Sequence, residues 1–291
     1  MAQKGLQSPV LFLIFNRPDT TQRVFNEIRK AKPRYLYVGA DGPRAEREGE
    51  AEKCRVTRAI IDQVDWDCKV YTLFRDSNLG CKAAVSSAIT WFFENVEEGI
   101  IVEDDCLPNQ SFFRFCDYLL RKYKDDERIM AISGTNLLKE WKSDSLSYFF
   151  SYYGGIWGWA SWKRAWALYD VRMELWKKWS TRKKIKNLLD DREQWKEMKK
   201  IFRKVYKDEI STWDYQWVFT KFVHSGLSII PARNLVTNIG WQSESTHTST
   251  DNKNISNLPV YEMDFPLHDN GDVRADRLFD RRFAEIGNSS N

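Results

Sequence analysis

Five short apolar runs punctuate the first half of the chain, and the first four each give way to a stretch of helical character. VLFLIF (10–15) stops at Asn16-Arg17-Pro18, and a proline in the first turn predicts a helix from there to about Lys32. YLYVGADG (35–42) precedes a charged segment rich in Glu, Arg and Ala. VYTLF (70–74) leads through Asp76-Ser77-Asn78-Leu79-Gly80 into KAAVSSAITWFFE, and GIIVEDD (99–105) leads into SFFRFCDYLLRKY. MAISG (130–134) is the fifth run. Apolar runs without alternation are strands buried on both faces, and helices between them imply a mainly parallel sheet.

In such sheets ligands bind beyond the carboxyl ends of the strands. The polar residues gather there: Asn16 and Arg17, Asp41 and Gly42, Asp76 to Asn78, and Glu103, Asp104 and Asp105. Four polar clusters at four strand ends predict one cleft. The expected organisation is a binding half over 1–134 and a second half of the same domain over 135–268. A polar tail, 269–291, is expected to wrap or fray.

The second half differs in composition. It carries ten of the 13 tryptophans, between Trp157 and Trp241, and 163–207 has 16 Lys+Arg against 6 Asp+Glu. Two functional readings of that basic segment stand beside a plain solvated helical surface. It suits an anionic membrane surface, or nucleic acid through stacking and charge. No nucleic-acid motif accompanies it, so no nucleic-acid partner is expected. Five cysteines without a CxxC pair indicate neither a disulfide framework nor a zinc ribbon. The sequence opens MAQKGLQSP, without a signal peptide's apolar core. With no apolar run near the roughly 20 residues that span a bilayer, the expectation is a cytoplasmic protein, at most peripheral at the membrane's inner face.

Consecutive acids at the end of a buried strand repel one another and lose hydration unless a cation or donors balance them. Glu103-Asp104-Asp105 therefore reads either as a site for Mg²⁺ or Mn²⁺, which favour carboxylate, water and phosphate oxygens, or as an acidic helix start. Asp214 lies between Trp213 and Trp217, which share a helix face. A partly desolvated carboxylate there suits a general base, and the alternative is again an N-terminal helix acid.

IIVEDDCLPNQSFFRFC closely resembles the strand–Glu-Asp-Asp–helix segment of inverting GT-A glycosyltransferases, nearest to the N-acetylglucosaminyltransferase I family and bacterial family-2-like relatives. Residues 8–250 follow that family's order of segments. The resemblance implies a GT-A (Rossmann-like) α/β fold with a helical, Trp-rich C-terminal half. It implies that Asp105 ligates a Mn²⁺ or Mg²⁺ bridging the donor's diphosphate, that Asp104 contacts ribose or metal-bound water, and that Glu103 supports sugar or ribose. Asn16 and Arg17 resemble the first-strand loop of the nucleotide pocket, and Asp41 the acid that accepts a uracil N3–H. Asn78 belongs to the third-strand loop, where Lys82 either reaches a phosphate or lies on a solvated helix face. Gly155 and Trp157 resemble the loop beneath the transferred sugar. Asp214 falls at the catalytic base, and His247, in Ser245-Thr246-His247-Thr248, reads as a second metal ligand, a diphosphate donor or an ordinary surface histidine. The implied activity is transfer from a UDP-sugar, UDP-GlcNAc among the candidates, to a hydroxyl of a glycan, lipid-linked or cell-envelope acceptor with inversion.

Two alternatives keep a similar sheet: a nucleotidyltransferase, which needs an early glycine-rich signature where this chain has FNRPDTT, and a non-catalytic carbohydrate-binding module on a decayed transferase. No serine–histidine arrangement, HExxH, P-loop or strand-linked GxGxxG is present, so hydrolase, zinc protease, kinase and dehydrogenase chemistry have no seat.

Overall fold

The computed structural model describes residues 5–189, 191–240, 256–269 and 271–288. Its centre is an eight-stranded sheet in the order β3-β2-β1-β4-β8-β6-β9-β7. The first four strands in that order are β3 (Lys69–Phe74), β2 (Tyr35–Ala40), β1 (Val10–Ile14) and β4 (Glu98–Glu103), all mutually parallel. β8 (Trp159–Trp162) runs antiparallel between β4 and β6 (Ile129–Ser133), β6 pairs in parallel with β9 (Leu227–Pro231), and β7 (Tyr148–Ser151) closes the edge antiparallel to β9. The fold is mixed α/β. Six strands share one direction, and β7 and β8 oppose it, so the sheet is less uniform than the apolar runs imply. Strands from both halves of the chain complete this single sheet.

β1 shows why the runs do not alternate. Val10, Phe12 and Ile14 pack with α1 (Pro18–Ala31) and α4 (Gln110–Lys122) on one face; Leu11 and Leu13 pack with α3 (Gly80–Asn95) on the other. Both sides of the pleat are core. β3 departs from this pattern. It is the sheet's edge, and Val70, Tyr71 and Phe74 are each more than a third exposed despite the same VYTLF composition.

The tryptophans of the second half are mostly core. Trp159 of β8 packs against Trp213 at 5.9 Å and Trp217 at 5.8 Å, and Trp166 stacks on Tyr169 at 4.2 Å. α5 (Lys163–Trp166) and α8 (Asp214–His224) press this cluster onto the sheet. α6 (Trp179–Leu189) and α7 (Arg192–Tyr206) form a further apolar cluster with α8 through Ile185, Phe202 and Phe219. Of the four tryptophans in 163–207, Trp166 and Trp176 are buried, Trp195 is half-buried and Trp179 is exposed. Among the described residues no helix is long and apolar enough to cross a membrane. The tail wraps as α9 (Arg277–Asn288), seating Phe279 against Phe149 of β7.

Candidate active site

A cavity of about 360 Å³ opens beyond the carboxyl ends of the four parallel strands β1, β2, β3 and β4. Parallel strands deliver their chain ends to one side of the sheet, so loops distant in sequence share one wall. Seven sequence candidates line it: Arg17, Asp41, Asn78, Glu103, Asp104, Asp105 and Trp157.

Arg17 organises the acidic end. Its Nη2 lies 2.6 Å from Asp104 Oδ1 and its Nη1 2.8 Å from Asp105 Oδ2. The remaining oxygens also accept: Asp104 Oδ2 from the Phe15 N–H at 3.1 Å, and Asp105 Oδ1 from the Cys106 thiol at 3.4 Å. Burial alone would lower the pKa of Arg17, but Asp104 and then Asp105 beside it raise it above its ordinary value. Glu103 has the opposite balance. Burial, then the charges of Asp105 and Asp104, push it well above the usual carboxylate range, against a smaller pull from Arg17. Burial and the neighbouring charges thus favour the protonated form of Glu103, which eases the crowding of three consecutive acids at one strand end. Burial pushes the Cys81 thiol, on the opposite wall, up to about 12, so it is no nucleophile.

These residues do not fit a resident divalent ion at Asp105. Such an ion needs carboxylate oxygens turned toward it, and a guanidinium already bridges the two aspartates. Gly240 closes the remaining side: a Cβ there would stand 2.5 Å from Asp105 Oδ2 and 2.9 Å from Arg17 Nη1. Among the described residues no three His, Cys, Asp or Glu side chains group so as to hold a metal. His247 lies outside the described residues.

Asp41 is placed as expected but differently employed. It accepts from the N–H groups of Gly42 (2.9 Å), Leu79 (2.9 Å) and Gly80 (3.1 Å) and from Asn78 Nδ2 (2.9 Å). Its carboxylate clamps the first turn of α3, where the helix dipole favours an anion, and its lone pairs are spent there rather than offered to a base. Asn78 spends its amide N–H groups on Asp41 and the Gly42 carbonyl. Asn16 sits outside the cavity lining, donating to Glu50 Oε1 at 2.9 Å; Glu50 in turn pairs with Arg44. Lys82 points elsewhere, its Nζ 2.6 Å from Asp208 Oδ1 in a separate cavity with Arg172 and Lys207. Neighbours on a helix diverge by about 100°, so Cys81 faces the cleft and Lys82 does not. Gly155 supports from below, its carbonyl accepting from Ser133 Oγ at 3.0 Å.

Asp214 opens α8 beside the cavity, near enough for its charge to act on both Glu103 and Cys81. It is half-buried, and its Oδ1 accepts from the Thr212 hydroxyl and from the Tyr215 N–H at 2.8 Å. Arg44, Arg75, Asn238 and Gly240 also line the cavity, though the sequence singled out none of them as a site residue. Arg75 follows directly on VYTLF, so the strand-end rule that selected Arg17 applies to it equally.

No protein-family model matches the chain, and no curated protein does. Among solved structures, HddC from Yersinia pseudotuberculosis is 9% identical, with 54% of this chain and 78% of that chain covered and a TM-score of 0.33. The same protein complexed with GMP-PN is 10% identical over the same shares, with a TM-score of 0.32. So slight a likeness has no bearing on function.

Proposed function

We propose that the chain is an inverting glycosyltransferase of the GT-A type that takes its sugar from a nucleoside diphosphate sugar, a UDP-sugar foremost. The observation carrying this reading is the cavity at four parallel strand ends, which combines Arg17, Arg44 and Arg75 with an acidic strand end and Trp157. Guanidinium groups suit diphosphate oxygens, an indole face suits a sugar ring, and acids accept from sugar hydroxyls. Asp214 stands on a separate element beside that cavity, where an acceptor hydroxyl approaching from the side opposite the diphosphate would meet it.

In the proposed step the acceptor oxygen attacks the anomeric carbon and its proton passes to Asp214. The bond from that carbon to the diphosphate oxygen breaks, and the electron pair leaves with the diphosphate. One direct displacement inverts the anomeric centre. The acceptor is a hydroxyl of a glycan, lipid-linked or cell-envelope molecule. Incubation with a panel of UDP- and GDP-sugars, with nucleotide release as the readout, tests the reading. Asp214→Asn keeps the shape and removes the proton acceptor, so turnover falls by about 10²–10⁴-fold while donor binding holds. A protein that neither binds nor consumes any nucleotide-sugar refutes the assignment, and undiminished turnover in Asp214→Asn moves the base elsewhere.

A further inference from the structure

The acids at the end of β4 already have a cation. Arg17 bridges Asp104 and Asp105 through its two terminal nitrogens, at 2.6 and 2.8 Å, from the loop that follows β1. A guanidinium has five N–H groups, and these two contacts leave donors over. About a third of the side chain remains exposed, and Arg17 lines the cavity. The arrangement is built rather than incidental: Gly240 brings its backbone so close that a Cβ would meet both Asp105 Oδ2 and Arg17 Nη1. A second arginine, Arg75, lines the same cavity from the end of β3 and donates to Ser87 Oγ at 2.5 Å. Its guanidinium is thus a second cationic donor group in the cavity lining, a type that suits an anionic oxygen.

We infer that Arg17 occupies the position a divalent ion would need at Asp105, so that the diphosphate of the substrate binds to Arg17 and Arg75 without a metal. Asp104 and Asp105 are then positioning residues, which hold the guanidinium plane at a fixed angle to the cleft. The inference rests on the nucleotide-sugar reading of the cavity and narrows it, because it makes nucleotide binding indifferent to chelation and dependent on one arginine.

The test is calorimetric titration of UDP, and in parallel GDP, into the whole protein in excess EDTA and again with saturating Mn²⁺. A nucleotide Kd that is the same in both, a coupling factor near 1, together with about tenfold or greater weakening in Arg17→Lys, supports the inference. That weakening is what losing a charge-assisted, forked hydrogen bond costs. Arg17→Lys keeps the positive charge beside Asp104, so it tests the fork without leaving the buried acids uncompensated, and circular dichroism checks its fold. Binding that requires Mn²⁺, or that tightens with it by about fivefold or more, overturns the inference and leaves the nucleotide reading standing. Metal-free binding that Arg17→Lys does not weaken removes Arg17 from the role. Binding of neither nucleotide under either condition overturns the nucleotide reading beneath it.

Discussion

Lys221 of α8 is buried at 1% exposure, with its Nζ 2.8 Å from Ser228 Oγ on β9. Burial drives its pKa from an ordinary 10.5 down to about 7, against a smaller opposing pull from Asp280 of α9. Above roughly pH 10.5 the amine is neutral in folded and unfolded chains alike, and its ionisation costs nothing. Between there and about 7 the unfolded chain takes up a proton that the folded protein refuses. Stability therefore falls as the pH falls, by up to about 1.4 kcal/mol per pH unit. Below about 7 both states are protonated and the loss levels off. The whole interval is worth about 5 kcal/mol as an upper bound. Lys221→Met keeps the length of the side chain and removes the titration. It also strands the Ser228 hydroxyl, at about 1 kcal/mol, and withdraws a cation from Asp280, which keeps its hydrogen bond from Ser151 Oγ and, at 3.7 Å, Arg277. The net expectation is a variant about 2–4 kcal/mol more stable than the parent at pH 7, with the advantage vanishing near pH 10. Urea unfolding of both proteins at pH 7, 8.5 and 10, followed by tryptophan fluorescence, measures it. A stability difference that stays constant across those pH values means that Lys221 titrates in the fold as it does in the unfolded chain, and the argument fails.

Gly240→Ala places a methyl against Asp105 Oδ2 and Arg17 Nη1; a shift of the guanidinium by a fraction of an ångström should weaken UDP about tenfold with little change in unfolding, as calorimetry and thermal melts would show. Trp217→Ala opens a cavity in the aromatic cluster at a site 1% exposed, and should destabilise by about 3–5 kcal/mol. Trp179→Ala, at a site 67% exposed, should stay within about 0.5 kcal/mol. Equal effects in the two melts would undo the assignment of the tryptophans to the core.

The first four strands were legible because their side chains are apolar on both faces, and no polar helix or loop composition mimics that. Of the later strands, β6 was legible as the run MAISG, and β7, β8 and β9 were not. WASW (159–162) is only four residues long and follows the glycine-rich Gly154-Gly155-Ile156-Trp157-Gly158, so it reads as the end of a flexible loop, yet it slots between β4 and β6. Its placement depends on a partner some 60 residues earlier in the chain, which no local pattern records. Position along the chain was enough to put Arg17 and Glu103 in the cavity lining, whereas the direction in which a side chain points is not written in the local sequence. Lys82 is one residue along a helix from the cleft-facing Cys81 and turns away. Asp41 stands in the wall, but its hydrogen bonds run along the chain to Leu79 and Gly80 rather than into the cavity.

The aromatic cluster gives the Trp-rich half a purpose other than surface binding. Asp214 sits between Trp213 and Trp217, and both indoles rest on Trp159 at 5.9 and 5.8 Å. Trp159 begins β8, opposite Ile101 of β4, and Glu103 lies two residues further along that strand. The Trp213 carbonyl accepts from the Tyr169 hydroxyl at 3.1 Å, and Tyr169 stacks on Trp166 in the same cluster. A carboxylate at the start of a helix would ordinarily fray with the first turn. Here the residues on either side of it are fixed to the sheet through rigid rings that lose few rotamers on burial. The path from the acidic strand end to Asp214 therefore runs through ladder hydrogen bonds and packed indoles, and the spacing of Asp214 from the cleft is set by the core itself.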